Sequence, residues 1–111
     1  MKYISTRNNL KDFNFEQIFI KGLADDGGLF VPKLLKKYSA DELIRLKNLN
    51  YNELSTEIIN LFSSDFISKD ELSSLIKKSY STFREKEVIR LSNVGEIKLL
   101  ELFHEIGRAH V

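Results

Sequence analysis

His104 and His110 are the chain's two histidines, six positions apart, with Glu101 and Glu105 flanking the first. Imidazole and carboxylate both ligate zinc-type ions, but such a site needs converging ligands. The chain has no cysteine and no third histidine, so no metal is expected. "DDGG" at 25–28 offers a second possibility, a phosphate-binding loop. It lacks the strand–GxGxxG–helix or Walker context, and Asp25 and Asp26 would repel an anion, so a plain turn is expected. A third possibility is "SYSTFR", Ser79–Arg84, where hydroxyls, an aromatic ring and a cation gather at a helix end. It could meet a small anion, but hydroxyls bonding local backbone is the expected outcome. No Ser/His/Asp or Cys/His arrangement is supported. On its residues alone the chain is expected to be non-catalytic, with no catalytic, cofactor or metal residue to assign.

The elements that would position these residues follow from local patterns. The chain has 111 residues, 42% hydrophobic and 30% charged, which suits one globular domain at most. Seventeen Lys and Arg balance sixteen Asp and Glu with signs interspersed, giving no basic face for nucleic acid or an anionic membrane. No apolar run approaches the roughly 18 residues of a membrane span, and "MKYISTRNNLKDF" lacks a signal-peptide core. A cysteine-free chain of this kind is expected in the cytoplasm.

"KYIS" suits a strand near Lys2–Thr6. Four capping boxes then announce helices: Asn14 with Gln17, Ser39 with Glu42, Asn50 with Glu53 and Ser68 with Glu71. Leu54, Ile58, Leu61 and Phe62 form one amphipathic stripe and Leu72, Leu75 and Ile76 another, both expected in a shared core. "GLADDGGLFVP" predicts a turn followed by a short extended Leu29–Val31, with Pro32 barring a helix.

The C-terminal third changes period. "EVIRL" and "EIKLLELF" read as strands around a hairpin turn at "SNVG". Ile97, Leu99, Glu101 and Phe103 share one face of the second strand; Lys98, Leu100, Leu102 and His104 share the other. Both faces are largely apolar, so this strand expects cover on both sides.

Three stretches together resemble the beginning of threonine synthase: "YISTRN", "FEQIFIKGLADDGGLFVP" at 15–32 and "KKSYSTFREKEVIRL" at 77–91. "LLELFH" at 99–104 resembles the strand that carries that family's chain into its catalytic domain. The resemblance implies an α+β fold: a small helical N-terminal domain over 1–87 with a short N-terminal strand. A hairpin over 88–104 would lead towards a fold type II catalytic domain. The family uses pyridoxal phosphate to convert O-phosphohomoserine and water to threonine and phosphate. Its Gly-Pro-Thr sequence after the matching histidine is followed soon by Phe-Lys-Asp, whose lysine forms the Schiff base. Here Glu105 stands where that glycine is expected, and the lysine motif does not follow.

"EIGRAHV", 105–111, resembles the translation of a sequencing-adapter oligonucleotide and is expected to be a non-native tail on a truncated chain. The resemblance therefore implies pyridoxal phosphate in the parent enzyme and none on this chain. Its partner would be the missing catalytic domain of the same chain, and its own role structural. The competing reading is a stand-alone α/β interaction module that recruits a partner through its apolar strand.

Overall fold

The computed structural model describes residues 1–82 and 90–101. Among them lie four helices and two small antiparallel sheets, an α+β architecture. The chain divides into two compact units, Met1–Ile76 and Lys77–Val111.

In the first unit, β1 (Tyr3–Ser5) runs between β2 (Asn8–Phe13) and β3 (Phe30–Pro32), giving the order β2-β1-β3. Tyr3, Ile4 and Ser5 face Pro32, Val31 and Phe30 across the β1–β3 ladder. Towards β2 the register is irregular: Tyr3 faces Phe13 while Ser5 faces Asn8, so β2 carries surplus residues, as bulged edge strands do. The expected strands near Lys2–Thr6 and Leu29–Val31 are both present.

No sequence pattern announced β2. "NNLKDF" has no apolar alternation, and five of its six residues are exposed. It is held through its backbone beside β1, and its polar, charged composition suits a sheet edge that must not recruit another strand.

All four capping boxes close as expected. They open α1 (Phe15–Lys21), α2 (Ala40–Lys47), α3 (Tyr51–Ser63) and α4 (Lys69–Ser81). Asn50 Oδ1 accepts from Glu53 N at 2.9 Å while Asn50 N donates to Glu53 Oε2 at 3.0 Å. At α4 the reciprocal pair is Glu71 N to Ser68 Oγ and Ser68 N to Glu71 Oε2, each 3.3 Å. Each cap satisfies backbone N–H groups the helix cannot, worth about 1 kcal/mol.

Among the described residues the buried apolar ones are Tyr3, Ala24, Leu46, Leu72 and Ile76. Leu72 and Ile76 fulfil the expected stripe of α4, whereas Leu75 is exposed, a correction to the core expectation. A single turn separates Leu72 from Ile76, and Leu75 sits about 100° from Ile76 around the helix, outside a narrow buried face. Leu54, Ile58, Leu61 and Phe62 of α3 are half-buried. Glu57 of α3 joins Arg45 of α2, at 3.3 Å, to Lys69 of α4, so the three helices share one ion-pair node.

In the second unit β4 (Arg90–Val94) pairs with β5 (Ile97–Glu101). The turn is Gly95–Glu96, not "SNVG": Ser92, Asn93 and Val94 are strand residues opposite Leu99, Lys98 and Ile97. Gly95 has φ +64°, the left-handed backbone that a two-residue hairpin turn demands, and glycine supplies it without strain.

Candidate functional site

The chemistry-bearing residues of the first unit converge on the turn between α1 and β3. Asp26 Oδ1 accepts from Ser5 Oγ at 2.7 Å and from Gly28 N at 2.8 Å. Arg7 Nη1 donates to Asp26 O at 3.1 Å, and Leu29 N donates to Thr6 Oγ1 at 3.0 Å. Gly27 has φ +79°. A Cβ on Gly28 would fall 2.3 Å from Ser5 Oγ, so the close approach of this turn to β1 requires glycine there. The Ser5 hydroxyl, then the Gly28 N–H, hold the Asp26 carboxyl below the ordinary carboxylate range.

Beside the turn lies a cavity of about 140 Å³, lined by Ser5, Asn8, Lys11, Phe13 and Ala24–Asp26. It does not fit pyridoxal phosphate. Two carboxylates face the space a phosphate would need, and Lys11, its one lining lysine, is exposed with its ammonium 5.2 Å from the Phe13 ring centroid. The expected turn at 25–28 is present.

The other candidate residues that are described make local contacts within the second unit. At the end of α4, Ser81 Oγ donates to Lys78 O at 2.7 Å and Thr82 Oγ1 to Ser79 O at 2.8 Å, the local bonding expected of a helix end. Glu101 lies 3.9 Å from Arg90 and accepts from Ser92 Oγ at 3.1 Å within the hairpin. Arg84, His104, Glu105 and His110 lie outside the described residues, as does the whole segment 105–111. Among the described residues no group of three potential ligands could hold a metal ion.

Apolar surface is the more prominent feature. Phe15 stands 5.7 Å from both Phe19 and Phe66, ring centre to ring centre, forming an aromatic cluster on the first unit. Phe19 at 69% and the adjacent Ile20 at 76% relative exposure leave that cluster open to water. Leu34, Leu35, Leu43 and Ile44 form a further exposed apolar set around the start of α2. In the hairpin, Ile97 (70%) and Leu99 (49%) are exposed on one face of β5 and Leu100 (50%) on the other. The i, i+4 spacing of Phe15 and Phe19 was visible in the sequence, but Phe66 joins them only through the fold.

The described residues thus define a small α+β domain rich in uncovered apolar surface. Residues 2–80 match the family model described as the threonine synthase N terminus, and the chain belongs to that family. It is 38% identical to the threonine synthase of Schizosaccharomyces pombe over 94% of this chain and 21% of that protein. It is 39% identical to human threonine synthase-like 2 over 98% of this chain and 23% of that protein. Among solved structures, the pyridoxal-phosphate-bound threonine synthase from Brucella melitensis superposes with a TM-score of 0.83 at 30% identity. That superposition covers 94% of this chain and 23% of the other. The chain spans between a fifth and a quarter of the length of these relatives.

Proposed function

We propose that this chain is the N-terminal portion of a threonine synthase acting in the cytoplasm, and that its own part in the enzyme is structural. The reaction would be conversion of O-phosphohomoserine and water to threonine and phosphate. Pyridoxal phosphate supplies the electron sink for such chemistry when bound, and the cavity beside Asp26 is a poor match for it. The catalytic domain of the same polypeptide is the proposed partner, rather than nucleic acid or membrane. No helix among the described residues is long and apolar enough to cross a membrane.

One observation carries the structural role: apolar side chains are exposed on both faces of β5 in a chain spanning under a quarter of its relatives' length. A two-sided apolar strand is the pattern of one meant to be covered on both sides. Leu99 and Leu100 would then bury against the catalytic domain.

The test joins residues 1–104 to the remaining segment of the Brucella threonine synthase and measures phosphate release from O-phosphohomoserine. The chimera should release phosphate and the chain alone should not. Release by the chain alone, or a folded, cofactor-loaded chimera without activity, would contradict the proposal.

A further inference from the structure

Asp-Gly is the dipeptide most prone to spontaneous isomerisation, because glycine places no side chain in the way of its own backbone nitrogen. We propose that Asp26–Gly27 is a latent isoaspartate site that the folded turn holds off, with Ser5 as the principal restraint. The reaction needs no co-reactant beyond water. Gly27 N attacks Cγ of the protonated Asp26 carboxyl, a C–N bond forms, a C–O bond breaks, and water leaves, made of the carboxyl hydroxyl and the amide proton. Water then adds to either carbonyl of the resulting succinimide, restoring aspartate or yielding isoaspartate with no change in mass or oxidation state.

Both reacting groups are restrained in the fold. The nucleophile is occupied, since Gly27 N donates to Ala24 O at 3.0 Å. The electrophile is turned to other partners, since Asp26 Oδ1 accepts from Ser5 Oγ at 2.7 Å and Gly28 N at 2.8 Å. Freeing Oδ1 from these two donors would cost both bonds. Arg7 further fixes the peptide through Asp26 O at 3.1 Å. The lowered carboxyl pKa acts the same way, because an ionised carboxylate is a poor electrophile and its oxygen a poor leaving group. The turn is exposed, so water reaches it whenever these bonds open.

Conversion would matter structurally. Isoaspartate inserts a methylene into the main chain between Ala24 and Gly28, whose N and O are bonded at 3.1 Å beside the Ser5–Phe30 pair of β1 and β3.

The experiment ages the full chain at neutral pH and body temperature and counts isoaspartate at residue 26 by electron-transfer fragmentation of its peptides. The reference is the free peptide GLADDGGLF, residues 22–30. The wild-type chain should isomerise at least about tenfold more slowly than the peptide, the order set by one hydrogen bond to a charged group. Ser5→Ala should recover most of that difference. Arg7→Gln, at an exposed position, should recover a smaller part. A wild-type rate equal to the peptide's overturns the proposal, as does a folded Ser5→Ala that isomerises at the wild-type rate. If circular dichroism shows Ser5→Ala unfolded, the wild-type-against-peptide and Arg7→Gln comparisons decide the matter. An Arg7→Gln rate equal to wild type would then overturn it.

Discussion

Tyr3 Oη donates to Phe62 O at 2.6 Å, joining the central strand β1 to the last turn of α3 across 59 residues of sequence. The last four carbonyls of a helix have no partner within it, and Tyr3 satisfies one of them. The ring is buried at 3% exposure, and burial, followed by the Asp65 carboxylate, pushes the phenol's pKa up. This bond fastens the small sheet to the helices with a neutral donor.

Tyr3→Phe keeps the ring and removes the donor, leaving the Phe62 carbonyl without it. The expected loss is about 1–2 kcal/mol, the cost of an unsatisfied buried acceptor. Urea midpoints at unchanged m-value measure it. An unchanged midpoint would show that water replaces the hydroxyl without penalty.

Acid should destabilise the first unit through carboxylates whose protons are held off by neighbours. The Lys36 ammonium, then the Ser39 N–H of the capping box, lower Glu42 from its ordinary 4.5 to about 2. Glu57 beside Lys69 and Arg45, and Asp12 beside Lys33 and Lys2, are lowered as well. A group whose pKa falls on folding binds fewer protons when folded. Its stabilisation is present above the unfolded value and is lost as pH falls through the folded one. For Glu42 the window runs from 4.5 down to about 2. Urea midpoints across that range should fall with pH, and Glu42→Gln should flatten the slope. A midpoint that rises on acidification would contradict the assignment.

Asn50→Ala removes the side-chain acceptor for Glu53 N and leaves one N–H at the start of α3 to water. The expected cost is about 1 kcal/mol, with Asn50→Ser restoring most of it. Thermal unfolding of both variants checks the order; Asn50→Ser as unstable as Asn50→Ala would count against the cap.

Much of the fold was legible because its signals are local. Asn14 and Gln17, or Ser68 and Glu71, need only a helical backbone to meet, so three residues of spacing reveal them. β2 was illegible because Asn8, Asn9, Lys11 and Asp12 carry no apolar alternation; pairing with β1 makes it a strand. The hairpin turn was misplaced because Ser92 and Asn93 are turn-prone residues, yet Gly95 meets the positive φ the turn requires. The convergence of Ser5, Arg7 and Asp26 was invisible for a different reason. Those bonds join residues about twenty apart and exist only once β1 and β3 have paired. The candidate site in the sequence was a turn; its partners belong to the tertiary structure.

The central claim is that this chain supports a pyridoxal-phosphate enzyme without holding the cofactor. Incubation with pyridoxal phosphate, borohydride reduction and peptide mapping test it most directly. The expected result is scattered, sub-stoichiometric labelling of exposed lysines such as Lys11. One lysine labelled stoichiometrically, with the others spared, would show a cofactor site within this chain and contradict the account.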